Sequence, residues 1–351
     1  MMKASFKKYS LNFVRPAGTS RGTMISRDTW YIIIKDENKT GIGEIAPLKN
    51  LSCDDTPELE QKIAAVCRDI SNYKYWIDEG LLDFPSIRFG LETALADLHA
   101  EGDKVLFPSD FTKGMKSIPI NGLIWMGDAN FMSKQISEKL DQGFRCIKLK
   151  IGAIDFDTEI ILLKKLRNEF PPDELEIRVD ANGAFAPAEA PKKLAKLAGL
   201  KIHSIEQPIR QGQYEAMAEL CMQSIVPIAL DEELIGINKR EDKIKVLLSI
   251  LPEYIILKPS LHGGIAGCTE WIQIAESLNI GWWLTSALES NIGLNAIAQW
   301  TATLNNPLPQ GLGTGKLFTN NIPSPLEIRK GELFYNIEKS WDLKYFSDEL
   351  S

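Results

Sequence analysis

Between residues 118 and 313, short apolar runs alternate with helical stretches, and this alternation constrains the fold more than any other feature of the chain. The expected strands are Ile118–Leu123, Cys146–Lys150, Glu176–Asp180, His203–Glu206, Pro227–Asp231, Tyr254–Lys258, Gly281–Thr285 and a degenerate one near Gln310–Gly313. Stretches between them, such as Phe156–Glu169, Pro187–Leu197, Tyr214–Cys221 and Ala266–Leu278, carry apolar residues at helical spacing. Strict strand–helix alternation predicts a parallel sheet, and eight strands predict that it closes on itself. An open doubly wound sheet is the alternative, but no GxGxxG follows an early strand. A closed barrel takes roughly 250 residues. A chain of 351 residues therefore has room for a second, smaller domain. The fold class expected is α/β, a (β/α)8-type barrel with an N-terminal α+β domain.

The first 110 residues have a different texture. Trp30–Ile34 is a β-rich run, followed by a turn at Asp36–Lys39 and a second run at Gly41–Ile45. Helical patterns follow at Pro57–Ile70 and Ser86–Ala100, where Ile87, Leu91, Leu95 and Leu98 share a face. The expected division is an α+β domain over 1–110, a linker at Glu101–Lys116 and a barrel over 117–320. A C-terminal segment, 321–351, carries Pro323, Pro325 and an aromatic, charged tail expected to pack back on the first domain.

Charge and composition exclude several classes of function. A formal net charge of −7 argues against a nucleic-acid partner, because backbone binding needs a basic surface. No run approaches the ~18 apolar residues of a membrane span. The N-terminus lacks the apolar core and cleavage pattern of a signal peptide, so a cytoplasmic location is expected. The five cysteines are scattered without a CxxC and read as reduced core or near-core residues. His99, His203 and His262 are not spaced to share a metal. Nothing in the sequence indicates an oligomer or excludes one.

Six polar residues end six successive strands: Lys150, Asp180, Glu206, Asp231, Lys258 and Ser286. Their separations are 30, 26, 25, 27 and 28 residues, each about one strand–helix unit. A lone acid at a strand end usually caps a helix, but six residues in phase put their side chains around one barrel mouth, where catalytic groups gather. Side chains alternate along a strand, so Lys148 shares a face with Lys150 and Arg178 with Asp180. Charges pointing inward must answer one another or a metal. Three carboxylates converging without histidine suit a hard divalent ion such as Mg²⁺. Asn182 is a candidate to support that shell, and Lys148 and Arg178 to hold a substrate carboxylate. A layer-filling salt bridge is an equal reading for Arg178. Ser286, Glu289 and Ser290 begin a helix whose N–H groups suit an anion. Gly311 and Gly313 let backbone approach a ligand. The partner all this implies is a small anionic substrate.

The order Lys-x-Lys, Asp, Glu, Asp, Lys on successive strands resembles the muconate-lactonizing branch of the enolase superfamily, and the resemblance covers nearly the whole chain. Gly41-Ile42-Gly43-Glu44-Ile45-Ala46-Pro47-Leu48 matches that family's capping domain. Arg178–Asn182, Ser204–Pro208 and Ser286–Ser290 are most similar to the o-succinylbenzoate synthases within the branch. The resemblance implies that Asp180, Glu206 and Asp231 are ligands to Mg²⁺, with Mn²⁺ as a substitute, and that Lys150 and Lys258 are paired catalytic lysines. It implies loss of a proton beside a carboxylate through an enediolate, and syn dehydration of 2-succinyl-6-hydroxy-2,4-cyclohexadiene-1-carboxylate in menaquinone biosynthesis. Lys150 would be the base and then the acid, and Lys258 the opposite-face cation. Arg15–Gly22 resembles the family's mobile specificity loop.

Sister activities are the main alternative. Dipeptide epimerases and N-acylamino-acid racemases use the same two lysines, but epimerases usually carry Asp-x-Asp where this chain reads Gly311-Leu312-Gly313-Thr314-Gly315. A Schiff-base aldolase leaves three converging carboxylates unexplained, and a barrel that only binds ligand leaves the lysine–acid order unexplained.

Overall fold

The structure, a computed structural model, describes residues 2–19, 22–152 and 154–350. Three antiparallel strands open it: β1 (Lys3–Thr19), β2 (Gly22–Asp36) and β3 (Lys39–Ile45), in that order across the sheet. One face of β2 carries Trp30, Ile32 and Ile34. These pack with Ile45 against helices Leu59–Arg68 and Pro85–His99. Tyr31 and Ile33 point the other way and pack on Phe346 and Ile322 from the end of the chain. Both faces are covered, which is why Trp30–Ile34 reads as a continuous apolar run rather than an alternating one. Gly41 and Gly43 lack side chains for a packing reason. A β-carbon at either would collide with the backbone of Pro85–His99, at Ala94 and Gly90.

Seven parallel strands follow in sequential order: β5 (Gly122–Ile124), β6 (Cys146–Lys150), β7 (Glu176–Asp180), β8 (Ser204–Glu206), β9 (Ile228–Leu230), β10 (Tyr254–Leu257) and β11 (Gly281–Leu284). Parallel bridges Thr285–Gly311 and Ile120–Gln310 bring the segment 310–311 between β11 and β5 and close the ring. The degenerate eighth strand is thus reduced to two residues. Main-chain bonds hold it on both sides: Gly311 N donates to Leu284 O at 2.8 Å and Asn121 N to Gln310 O at 3.0 Å. The helices wrap the ring and bury Ile147, Leu149, Ile177, Val179 and Ile205 in the main core.

Four expectations change. The strand expected over Ile118–Leu123 is two elements. β4 (Ile118–Pro119) turns away from the barrel and joins β12 (Leu326–Arg329) and β13 (Glu332–Tyr335) in a separate antiparallel sheet. The tail therefore divides: β12 and β13 go with β4, while Ile322 and the stretch Trp341–Phe346 pack on the first sheet. The stretch Glu101–Lys116 is no free linker. Lys104 is buried and bonds Asp97 at 2.7 Å, and Phe111 joins the main core. Among the cysteines, Cys53 is exposed rather than near-core. No helix among the described residues is long and apolar enough to cross a membrane.

Candidate active site

Parallel register carries the six-residue phase into space. Lys150 pairs with Asp180, and Asp180 with Glu206, so three of the charged residues stand abreast on β6, β7 and β8. Lys150 Nζ donates to Asp180 Oδ2 at 3.0 Å and to Asn182 Oδ1 at 2.7 Å. Lys148 stands one layer lower, but its ammonium reaches up to bridge Glu206 Oε2 at 2.6 Å and Asp180 Oδ2 at 3.0 Å. Across the mouth, Lys258 Nζ donates to Asp231 Oδ2 at 2.5 Å. Among the described residues no three His, Cys, Asp or Glu side chains converge as ready-made metal ligands. The Lys148 ammonium lies between two of the acids instead. Two carboxylate oxygens, Glu206 Oε1 and Asp231 Oδ1, are buried without a hydrogen-bond partner.

Burial and charge compete at every group here. Burial alone raises Asp180, but Lys148 and Lys150 outweigh it and hold its carboxyl well below the usual range. Asp231 follows the same logic, with Lys258 as the dominant cation. Glu206 goes the other way: burial and then the Asp180 charge push it up to about 8, against the pull of Lys148. Burial opposes charge on Lys148 and Lys258, yet the facing carboxylates raise both above the ordinary lysine value.

Several supporting residues had no distinctive pattern in the sequence. Glu232 lines the cavity and accepts from Asn182 Nδ2 at 2.9 Å. Gln207 Oε1 accepts from the backbone N–H of Asp231 and of Glu233, both at 3.2 Å, tying the end of β8 to that of β9. His262 Nδ1 accepts from Lys258 N at 2.9 Å, and burial lowers its pKa to about 3, so it is neutral. His203 packs against the Tyr254 ring and meets Trp283 edge-on, and it is not among the residues lining the cavity over the mouth.

A cavity of about 600 Å³ opens over this group, lined by Lys148, Lys150, Asn182, Lys258, Ser286, Gly311 and Gly313. The first sheet supplies its roof: Phe13, Pro16, Ala17 and Met24 from β1 and β2, and Leu48–Leu51 after β3. Of the loop Arg15–Gly22, residues 20 and 21 lie outside the described residues.

Three expected substrate contacts do not reach this cavity. Arg178 is 0% exposed, and its guanidinium is committed below the mouth. It donates to Glu176 Oε1 at 2.7 Å and Pro309 O at 2.9 Å and stacks 4.2 Å over Trp283. This is the layer-filling arrangement. Glu289 is turned inward, accepting from Ser260 at 2.5 Å and Ser286 at 2.6 Å. Ser290 caps helix Asn291–Thr303 and donates to Glu44 of β3 at 2.5 Å. Periodicity placed these residues near the mouth, but their partners lie in the neighbouring layer and in the first sheet.

Comparison with known proteins agrees with this architecture. Residues 132–335 match the family described as enolase C-terminal domain-like, and residues 1–98 match the MenC N-terminal domain. The o-succinylbenzoate synthase of Desulfotalea psychrophila is 48% identical over 363 residues, covering 95% of this chain and 98% of that one. The crystal structure of MenC from the same organism superposes with a TM-score of 0.80 at 45% identity, covering 95% of this chain and 99% of that one. The substrate-liganded L-Ala-D/L-Glu epimerase of Bacillus subtilis gives a TM-score of 0.80 at 20% identity, with 95% of each chain covered, and so shares the fold.

Proposed function

The chain belongs to the enolase superfamily, in its o-succinylbenzoate synthase (MenC) family, and from that membership we propose that it is a metal-dependent lyase that dehydrates 2-succinyl-6-hydroxy-2,4-cyclohexadiene-1-carboxylate to o-succinylbenzoate, a step of menaquinone biosynthesis. The observation that carries this reading is the 48% identity to a synthase along both chains. The last barrel segment supports it. Gly311 and Gly313 line the cavity and bring no carboxylate to bind an amine, and a β-carbon at 311 would collide with the Thr285 side chain.

Enzymes of this superfamily depend on a divalent metal, and the residues here fit one. The donors are all oxygens, and an orphaned buried carboxylate oxygen on each of Glu206 and Asp231 calls for a cation. Asp180, Glu206 and Asp231 would hold Mg²⁺, or Mn²⁺ in its place, with the Lys148 ammonium yielding its bridge. Once bound, the ion neutralises charge on the substrate carboxylate. Lys150, anchored by Asp180 and Asn182, takes the proton beside that carboxylate and returns it to the hydroxyl leaving on the same face. Lys258, held cationic by Asp231, faces the ring from the other side and answers the charge that develops there. The first-sheet residues Phe13, Pro16, Ala17 and Met24 cover the cavity above these groups.

The decisive measurement is kcat/KM for this dehydration against that for the best dipeptide or N-acyl amino acid. Dehydration should win. An amino-acid substrate ahead by more than about tenfold, ~1.4 kcal/mol of transition-state preference, would make the enzyme an epimerase or racemase.

A further inference from the structure

The cavity lining includes cations that the proposed chemistry does not use. Along β5, side chains alternate: Asn121 and Leu123 line the cavity, while Gly122 faces outward to helix Ala129–Asp141. There the Lys139 stem fills the space a β-carbon would take, its Cδ only 3.1 Å from that position. Its ammonium sits 4.9 Å over the Phe144 ring. Lys139 still lines the cavity, as does Lys316 on the segment after Gly315.

These two cations differ from the lysines of the mouth. Lys148, Lys150 and Lys258 each hold a carboxylate. Among the described residues neither Lys139 nor Lys316 has one, and the adjacent Glu138 is taken by Arg15 at 3.6 Å. Burial lowers Lys139 from the ordinary lysine value against the pull of Glu138, and the like charge of Lys316 adds to that lowering. Two ammonium groups that line one cavity, neither with a carboxylate of its own, make a site an anion would relieve.

We propose that Lys139 and Lys316 form a second anion site in this cavity, which takes the terminal carboxylate of the substrate's succinyl arm. The inference rests on the dehydration reading for the identity of the anion. One carboxylate of a dianion engages the reacting mouth, and the other reaches the lysine pair. The site thereby selects ligands with a second carboxylate over monocarboxylates of the same shape.

The test compares wild type, Lys139→Met, Lys316→Met and the double variant in the Mg²⁺-loaded enzyme. Calorimetry gives Kd for o-succinylbenzoate and for 2-butyrylbenzoate, in which a methyl replaces the terminal carboxylate. Kinetics give kcat and KM for dehydration. The double variant should weaken o-succinylbenzoate about 10-fold, the size of one charge-assisted contact, and raise KM alike. Its kcat should stay within about twofold, 2-butyrylbenzoate should be unaffected, and Lys139→Arg should retain binding. Equal losses for both ligands, or none, would overturn the second site. Absence of dehydration in wild type overturns the functional reading instead, and a lysine-dependent preference for the dianion would survive it.

Discussion

Lys150 and Lys258 carry the same group but meet different partners, and the proposed mechanism gives them different work. Lys150 is held by one acid and one amide oxygen. Lys258 lies against Asp231 with Glu232 nearby, and despite burial these acids raise its pKa, so it stays charged at neutral pH. Lys150→Ala should lose about 10²–10⁴-fold in kcat, the usual contribution of a general base, in a steady-state assay. Near-normal turnover would remove it from that role. Lys258→Met should also fail, and should do so evenly across pH because its loss is of fixed charge. Removing the metal with EDTA should abolish turnover, and Mg²⁺ or Mn²⁺ should restore it. Full activity in chelator would exclude Asp180, Glu206 and Asp231 as working ligands.

At the scale of elements, the first sheet and the barrel are joined by buried charge. Glu44 on β3 accepts from Thr29 Oγ1, Ser290 N, Ser290 Oγ and Gly293 N, capping helix Asn291–Thr303 from outside its own domain. Arg27 on β2 donates to the carbonyls of Ala287 at 2.5 Å and Leu288 at 2.7 Å. Leu288 has a φ of +64°, a conformation non-glycine residues rarely adopt, so this turn in the cavity wall is fixed from the first sheet. Glu44→Ala strands the Ser290 and Gly293 amides and should cost about 2–3 kcal/mol in urea unfolding. If the variant unfolds at the wild-type midpoint, the cap carries no stability. The strand and helix elements themselves were legible in the sequence, because β6 to β10 are short, largely apolar runs that end in charge or are followed by it. β4 and β5 were not separated, because pairing with β13, more than two hundred residues away, decides where the chain turns.

For the whole molecule, Glu92 links the domains and sets a pH dependence. From helix Pro85–His99 it accepts from Ile265 N at 2.6 Å, at the start of helix Gly264–Ser277, with Arg88 3.6 Å away. Burial raises its pKa to about 7, against the pull of Arg88 and those amides. The unfolded value is about 4.3. The folded state therefore binds more protons between the two, and the stability present below about pH 4 is lost as pH rises through 7. Glu92→Gln should flatten unfolding free energy between pH 5 and 8 by on the order of 2 kcal/mol in urea titrations. An unchanged slope would mean the carboxyl titrates normally.

The sequence by itself determined the barrel and the ring of Lys150, Asp180, Glu206, Asp231 and Lys258. A strand of fixed pitch followed by a helix of similar length returns every unit to the same height, so equal spacing along the chain becomes equal height around one mouth. It also showed that Gly311–Gly315 offers no acid. Tertiary structure decided which inward residues reach the cavity. Arg178 has the same phase as Asp180, but Glu176, Pro309 and Trp283 draw its long side chain down into the layer below. Glu289 and Ser290 follow the last long strand as expected, yet Ser260 and Glu44 take them out of the site. The cap from Glu44 on helix Asn291–Thr303 joins elements by contacts that leave no period in the chain. Periodicity fixes direction and height within an element, whereas partners across elements fix where a side chain ends.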